Sequence, residues 1–381
     1  MRVAHVVAGS PLQDVANGVR KYVYFIATAQ AQLGLEVAIF FLSAESPTAI
    51  PRVLVRGFPP ARGPFRVPSE LTDEIGRWDP GVLHLHSPYF PPNARLARWA
   101  RRRGLPYVIT PHGALSPGEI RQRWYLKLPY KYLFELPALN RAVFVHAVGA
   151  AENLRGYGVT APIELAPCGV DATTFPSELD TRAFVKRHPM LDGRRVFLYL
   201  GRLDPAQKGL DLLVEAFTAA HLEAAALVLI GPDYRGGRRR LEGLLARRRP
   251  SSPVLLLDAV YGTERFETIA GADVFVNTAR WEGTPIAVLE AAAAGKPCLL
   301  SPVADPLGRL SESGGALCVA PRVDAIAEGL RRLAEADAEA LGHMGERARA
   351  VAVSEFRWPS SARLLAEAYA RHANGARSES S

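Results

Sequence analysis

Cysteine is scarce: three in 381 residues (Cys168, Cys298 and Cys318), an odd set without C-x-x-C spacing. That excludes a disulfide-stapled scaffold and fits free thiols in a reducing compartment. Long apolar runs are missing as well, since AIFFL and AALVLI fall far short of the roughly 18 consecutive apolar residues of a membrane span. The opening MRVAHVVAGS enters an alternating run with neither the apolar stretch nor the small-residue cleavage site of a signal peptide. The expected location is the cytoplasm, at most peripheral on the inner face of the plasma membrane.

What is present is globular, with 48% hydrophobic and 22% charged residues. Lys plus Arg number 46 against 38 Asp plus Glu, and the formal net charge of +8 favours anionic partners: nucleic acid, acidic lipid or phosphorylated small molecules. A single core usually stops growing at about 250 to 300 residues, so this length predicts two domains.

Short β-branched runs alternate with helical spacing, the pattern of a parallel sheet covered by helices on both faces. In the first half the expected strands are Val3 to Val7, Val37 to Phe41, Val82 to His86, Tyr107 to Thr110 and Ala142 to Val148. Between the first two, Val19, Tyr22, Val23, Ile26, Ala27 and Leu33 recur at helical spacing, with Gly34 where the helix should stop. A proline- and charge-rich stretch over 169–193 reads as a linker with one short helix. Alternation resumes with strands Arg195 to Leu200, Ala226 to Ile230, Val254 to Leu257, Val274 to Asn277 and Pro297 to Ser301, and helices starting near Gly209, Arg238, Glu264 and Pro285. Two charged helices follow Val319. The expected layout is α/β, two doubly wound Rossmann-like domains facing across a cleft. The first covers 1–168 and the second 194–355; a helix over 356–373, with Leu364, Leu365, Ala368 and Tyr369 on one side, returns to the first, and 374–381 read as a disordered tail.

Doubly wound sheets bind ligands at the carboxyl ends of their strands. In NTARWEGTPIAVLEAAAAGKP a strand ends in a loop, Thr284 can N-cap a helix that takes Pro285 in its first turn, and Gly295 closes it. Free amides at Gly283 and Thr284 would then sit beside a positive helix end suited to phosphate, bracketed by Glu282 and Glu290, although Glu290 taken alone reads equally well as a solvated helix residue. In YLGRLDPAQKGLDLLVEAF, Arg202 follows a strand and Lys208 precedes a helix, two cations placed to neutralise a diphosphate as charge develops on it. In the first half, Asn17 and Gly18 open a helix, and His112 with Gly113 lies just past a strand. His84 and His86 share one face of VLHLH. They read as packing or loop-anchoring residues, since no third zinc ligand is evident in the spacing.

These segments together resemble the GT-B glycosyltransferases of the large retaining family 4, over nearly the whole chain. They are Asn17-Gly18, VLHLH, TPHG at Thr110 to Gly113, PCGVD at Pro167 to Asp171, the GR-x5-KG run from Gly201 to Gly209, and EGTPIAVLEA from Glu282 to Ala291. Four positions depart from the usual pattern: Asn17 and Cys168, Thr284 after the acidic Glu-Gly, and Leu35 after Gly34. The resemblance implies that the second domain holds a sugar nucleotide. Arg202 and Lys208 would grip its diphosphate, Glu290 would bind the ribose and Glu282 would face the transferred sugar. Gly283, Thr284, Pro285 and Leu289 complete the implied nucleotide contacts, and His112 and Gly18 would reach in from the first domain.

The implied reaction moves a hexosyl unit from a UDP- or GDP-linked sugar to a hydroxyl with retention, His112, Glu282, Arg202 and Lys208 forming its catalytic set. The departing diphosphate oxygen takes the acceptor's proton. No D-x-D triplet occurs, so neither cofactor nor metal is expected. The acceptor would be a carbohydrate or lipid-linked glycan in bacterial surface polysaccharide or glycoconjugate synthesis. Basic and aromatic residues mix over Arg121 to Arg141, which suits either peripheral membrane contact or an amphipathic helix pair on the first sheet. The Arg triplets read as solvated helix faces, so nucleic acid is not an expected partner. Competing readings are a sugar-nucleotide 2-epimerase, a non-catalytic scaffold, and transfer to a soluble natural-product glycoside.

Overall fold

The structure is a computed structural model that describes all residues except 16, 122–123, 150–152, 172–174, 177–178, 284 and 379–381, and the side chains of 374–378. The chain forms two compact units, Met1–Cys168 with Trp358–Ser381, and Gly169–Arg357.

In the first unit β1 (Arg2–Val7), β2 (Glu36–Leu42), β3 (Val53–Phe58), β4 (Val82–His86), β5 (Tyr107–Thr110), β6 (Phe144–Ala147) and β7 (Ile163–Leu165) make a parallel sheet in the order β3-β2-β1-β4-β5-β6-β7. The second holds β8 (Arg195–Leu200), β9 (Ala225–Ile230), β10 (Val254–Leu257), β11 (Val274–Asn277), β12 (Cys298–Leu300) and β13 (Ala316–Cys318), in the order β10-β9-β8-β11-β12-β13. Both reverse direction beside their first strand, which opens a crevice at the carboxyl ends of β1 and β4, and of β8 and β11.

Three strands lie outside the sequence reading: β3, β7 and β13. All are edge strands. An edge strand is covered on fewer sides, so it needs no sustained apolar run. The burial of β3 is broken by exposed Arg56 and Gly57, and β7 and β13 have three residues each. The central strands β1, β4 and β5 are buried almost throughout because helices cover both faces.

The two faces of the first sheet differ chemically. One is apolar: Ala4, Val6, Leu83, Leu85, Ile109 and Val145 pack on Leu71, Ile75, Leu96 and Ala97. On the other face His5 pairs with His84, and His86 with Thr110, in the strand register. His146, one residue beyond the Ile109–Val145 pair, extends this polar row onto β6. The Gly18–Gln32 helix and the C-terminal Trp358–Ser378 helix pack together and supply Gln30 and Tyr369 to the row. Asn17 caps the former, accepting from the amides of Val19 and Arg20 at 3.1 and 3.3 Å. Gly34, at φ 86°, ends it.

The C-terminal helix differs from expectation in two ways. It buries Ser361, Ala362, Leu365, Ala368 and Tyr369 and leaves Leu364 44% exposed, since Leu364 lies about 100° around the helix from Leu365. Its backbone continues to Ser378, past the end expected at residue 373.

Candidate functional site

The crevice of the second unit gathers the charged residues singled out in the sequence. After β8 the chain passes Arg202, and Asp204 caps the short Pro205–Lys208 helix by accepting from the Gln207 amide at 3.2 Å. Gly209 then adopts φ 64°, and a Cβ there would lie 2.2 Å from the Thr278 carbonyl oxygen. Only glycine lets this turn lie against the end of β11. The loop after β11 is fastened to the same turn by Arg280, which donates to both Asp211 carboxylate oxygens at 2.7 and 2.8 Å and to the Pro205 carbonyl at 3.0 Å.

This architecture brings Lys208 and Glu282 into a direct, largely buried ion pair, with side-chain exposures of 13% and 7%. Burial raises the Glu282 carboxyl, but the Lys208 charge and hydrogen bond, the Gly283 amide and the Arg202 charge outweigh it and hold it below the usual carboxylate range. Arg202 donates to Gln207 Oε1 at 3.0 Å and lies 4.5 Å over the Tyr234 ring. Arg202, Lys208 and Glu282 thus form one cluster at the crevice.

Three expectations need revision. The Gly283 amide is not free: it donates to Glu282 Oε1 at 3.1 Å, because the carboxylate folds back over its own loop. The following helix starts at Ile286, with Pro285 in the capping position and its carbonyl accepting from Val288 and Leu289; Thr284 lies outside the described residues. Glu290 is not a solvated helix residue. It is buried and sits 3.6 Å from Arg265, which comes from the Gly262–Ala270 helix. Neither Arg265 nor the Arg280–Asp211 pair stands out in the sequence, since each is one arginine among many. Leu289 is fully buried in the same helix as Glu290.

In the first unit, Gly18 is the first residue of its helix. Arg20 secures the preceding loop by donating to the Ser10 carbonyl at 2.6 Å and pairing with Glu45 at 2.8 Å. His112 follows β5 at φ 53°, a conformation costly for a residue with a side chain. Tyr22, one turn along from Gly18, packs edge-on against it at 5.0 Å. Burial pushes the His112 imidazole down to about 3, with the neighbouring His146 adding to the effect. His84 and His86, expected to be packing residues, are fully buried members of the polar row.

Two parallel sheets in the doubly wound order, the second carrying cations and a carboxylate at its crevice, define the GT-B class of protein. The model described as "Glycosyltransferase Family 4" matches residues 16–174, and that described as "Glycosyl transferases group 1" matches 194–336. The chain belongs to this family, glycosyltransferase family 4. It is 29% identical over 236 residues to a GDP-mannose-dependent alpha-(1-6)-phosphatidylinositol monomannoside mannosyltransferase of Mycobacterium tuberculosis, covering 59% of this chain and 60% of that protein. Similarity to the Escherichia coli UDP-Gal:alpha-D-GlcNAc-diphosphoundecaprenol alpha-1,3-galactosyltransferase is 27% over 58% of this chain and 57% of that one. The match thus spans about 60% of the curated relatives' length. Sucrose-phosphate synthase from Thermosynechococcus elongatus has the same fold, with TM-score 0.79 at 22% identity over 97% of this chain and 98% of that one.

Proposed function

We propose that the protein transfers a hexosyl unit from a UDP- or GDP-linked sugar to a hydroxyl acceptor with retention of anomeric configuration. The observation that carries this reading is the cluster of Arg202, Lys208 and Glu282 at the crevice between β8 and β11. Arg202 and Lys208 hold the diphosphate and stabilise the charge that grows on it as the glycosidic bond breaks. Incoming diphosphate competes with Glu282 for Lys208. Glu282, released from that pair, faces the sugar, while Glu290 binds the ribose and Gly283, Pro285 and Leu289 line the nucleotide. His112 and Gly18 serve the transferred sugar, and the leaving diphosphate oxygen accepts the acceptor's proton. With two cations in place the reaction proceeds without metal. The names of the relatives, a GDP-mannose enzyme and a UDP-galactose enzyme, support a nucleotide-sugar donor and leave the base open.

On the acceptor side, Trp124, Tyr125, Leu126, Tyr132 and Leu133 are 57–67% exposed, on a segment that includes Lys127 and Lys131. Beside Leu133 and Phe134 a cavity of ≈ 520 Å³ is ringed by Arg98, Arg101, Arg102 and Arg141. Apolar side chains next to guanidinium groups suit a lipid-linked acceptor at an anionic membrane surface. This supports peripheral attachment at the inner face of the plasma membrane, with synthesis of surface polysaccharide or glycoconjugate as the setting. Among the described residues no helix is long and apolar enough to cross a membrane.

The test is a thermal-shift screen with UDP-, GDP- and ADP-sugars, followed by NMR of the anomeric proton of the first product. A stabilising shift with one donor, lost in Lys208→Ala and in Glu290→Ala, supports the reading. An inverted product overturns retention, and an undiminished shift in both variants overturns the assigned nucleotide site.

A further inference from the structure

The polar row on the first sheet contains more hydrogen-bonding groups than packing requires, and their contacts form a continuous series. His146 Nε2 lies 2.9 Å from the Ala166 carbonyl, and His146 Nδ1 lies 2.7 Å from Thr110 Oγ1. Thr110 Oγ1 is 2.5 Å from His84 Nε2, and His84 Nδ1 is 2.6 Å from the Tyr369 hydroxyl. Gln30 bridges that hydroxyl at 3.4 Å to His5 Nε2 at 2.7 Å. His5 Nδ1 then meets His86 Nε2 at 2.9 Å, and His86 Nδ1 meets His112 Nε2 at 3.0 Å.

Burial lowers the pKa of His5, His84, His86, His112 and His146, so each ring is neutral near pH 7 and carries one N–H and one acceptor nitrogen. A carbonyl only accepts, so His146 donates from Nε2 to Ala166 and accepts at Nδ1 from the Thr110 hydroxyl. Thr110, its proton committed, accepts from His84 Nε2–H. His84 Nδ1 then accepts from the Tyr369 hydroxyl, and burial keeps that phenol protonated. The Tyr369 oxygen faces the Gln30 amide nitrogen, because a flipped Gln30 would set two oxygens against each other with no proton between them. Gln30 Oε1 therefore accepts from His5 Nε2–H, His5 Nδ1 accepts from His86 Nε2–H, and His86 Nδ1 accepts from His112 Nε2–H.

We propose that this single directional chain, anchored at the Ala166 carbonyl, fixes His112 as the Nε2–H tautomer with an unprotonated Nδ1. His5, Gln30, His84, His86, Thr110, His146 and Tyr369 are positioning residues that act through His112. The tautomer follows from the hydrogen-bond geometry of rings that burial keeps neutral. Its bearing on the sugar that His112 serves rests on the transferase reading above. The same nitrogens of His5, His84 and His86 lie within 4.8 Å of one another, the spacing of a metal site. Every one of them is already committed within the chain, so a cation would have to sever these bonds without an anionic ligand to offset its charge.

The test is long-range proton–nitrogen NMR of the full-length protein labelled with 15N-histidine, without substrate, at pH 7.5. The His112 signals are identified by their loss in His112→Gln. Expected is one His112 species with protonated Nε2 and bare Nδ1. Gln30→Leu removes the acceptor that orients His5, and a second His112 tautomer appears. Gln30→Glu, whose buried carboxyl keeps its proton, donates it to the Tyr369 oxygen and accepts from His5 Nε2–H, retains the single species and rescues the pattern, an outcome that packing alone does not produce. A protonated Nδ1 in the wild type, or a tautomer unchanged in Gln30→Leu, overturns the proposal. If Gln30→Leu does not fold, the wild-type and Gln30→Glu spectra decide. Stoichiometric uptake of cobalt(II), abolished in His84→Gln, also overturns it in favour of a metal site. A protein inactive with every donor that shows the expected spectrum overturns the transferase reading alone.

Discussion

Lowering the pH from 7.5 to 5.5 should selectively weaken the first unit. His5 and His146 are pushed down to about 4, and His84 and His86 lie well below the ordinary value, all chiefly through burial. An unfolded imidazole near its ordinary pKa of about 6.5 binds a proton in this range, whereas the folded one does not, so stability falls as the pH passes down through about 6.5. At pH 5.5 His5 and His146 each cost roughly 1 kcal/mol, and His84, His86 and His112 act in the same direction. Glu135 acts in the opposite direction. Burial raises it to about 7, against the Tyr89 amide and Tyr130 hydrogen bonds. It binds its proton first in the folded state and restores about 2 kcal/mol. Five rings against one carboxyl leave a net loss, to be set against the ~5–15 kcal/mol typical of a folded domain. Trp78, Trp99, Trp124 and Trp358 lie in the first unit and Trp281 in the second, so tryptophan fluorescence during urea unfolding mainly reports the first. The unfolding midpoint should move to clearly lower urea at pH 5.5. Equal stability at the two pH values would show that these rings are charged or solvated and would refute the reasoning.

Gly209→Ala should destabilise the second unit by more than about 2 kcal/mol, since it combines a positive φ with a backbone clash; calorimetry showing an unchanged melting temperature would contradict the role given to this turn. Arg280→Ala should lower donor affinity about tenfold or more by releasing the β11 loop from the Lys208 turn, read as a rise in KM for the donor. EDTA should leave transfer unaffected, and loss of activity that magnesium or manganese restores would refute the metal-free scheme. Replacing Trp124 and Leu133 together by Ser should reduce sedimentation with phosphatidylglycerol vesicles several-fold while sparing the melting temperature; undiminished binding would move the membrane contact elsewhere.

The central strands and the crevice motifs were legible because their local pattern reflects their surroundings. VLHLH and YVIT are buried on both faces and read as strands with nearly their true limits. Arg202, Lys208 and Glu282 could be placed at strand ends from the alternation alone. Their mutual pairing could not, because it depends on which strands are neighbours and on a glycine turn shaped by a carbonyl about seventy residues away. The third histidine was missed for the same reason. His5 lies in a short run without metal-ligand spacing, and only the placement of β1 beside β4 brings it to His84. Glu290 read equally well as solvated because its partner Arg265 sits on a different helix.

The first unit is discontinuous in the chain, and this bears on its assembly at the ribosome. Tyr369 closes the polar row at His84, Trp358 stacks on Phe25, and His372 pairs with Glu164 at 2.6 Å. The C-terminal partner in each of these three contacts is translated after the whole second unit. Until then the nascent amino-terminal segment carries a histidine-lined surface that only the Gly18–Gln32 helix covers, so its consolidation waits on the synthesis of the C-terminal helix. A ribosome stalled before residue 358 would release a chain whose second unit is finished and whose first remains open to chaperones and proteases.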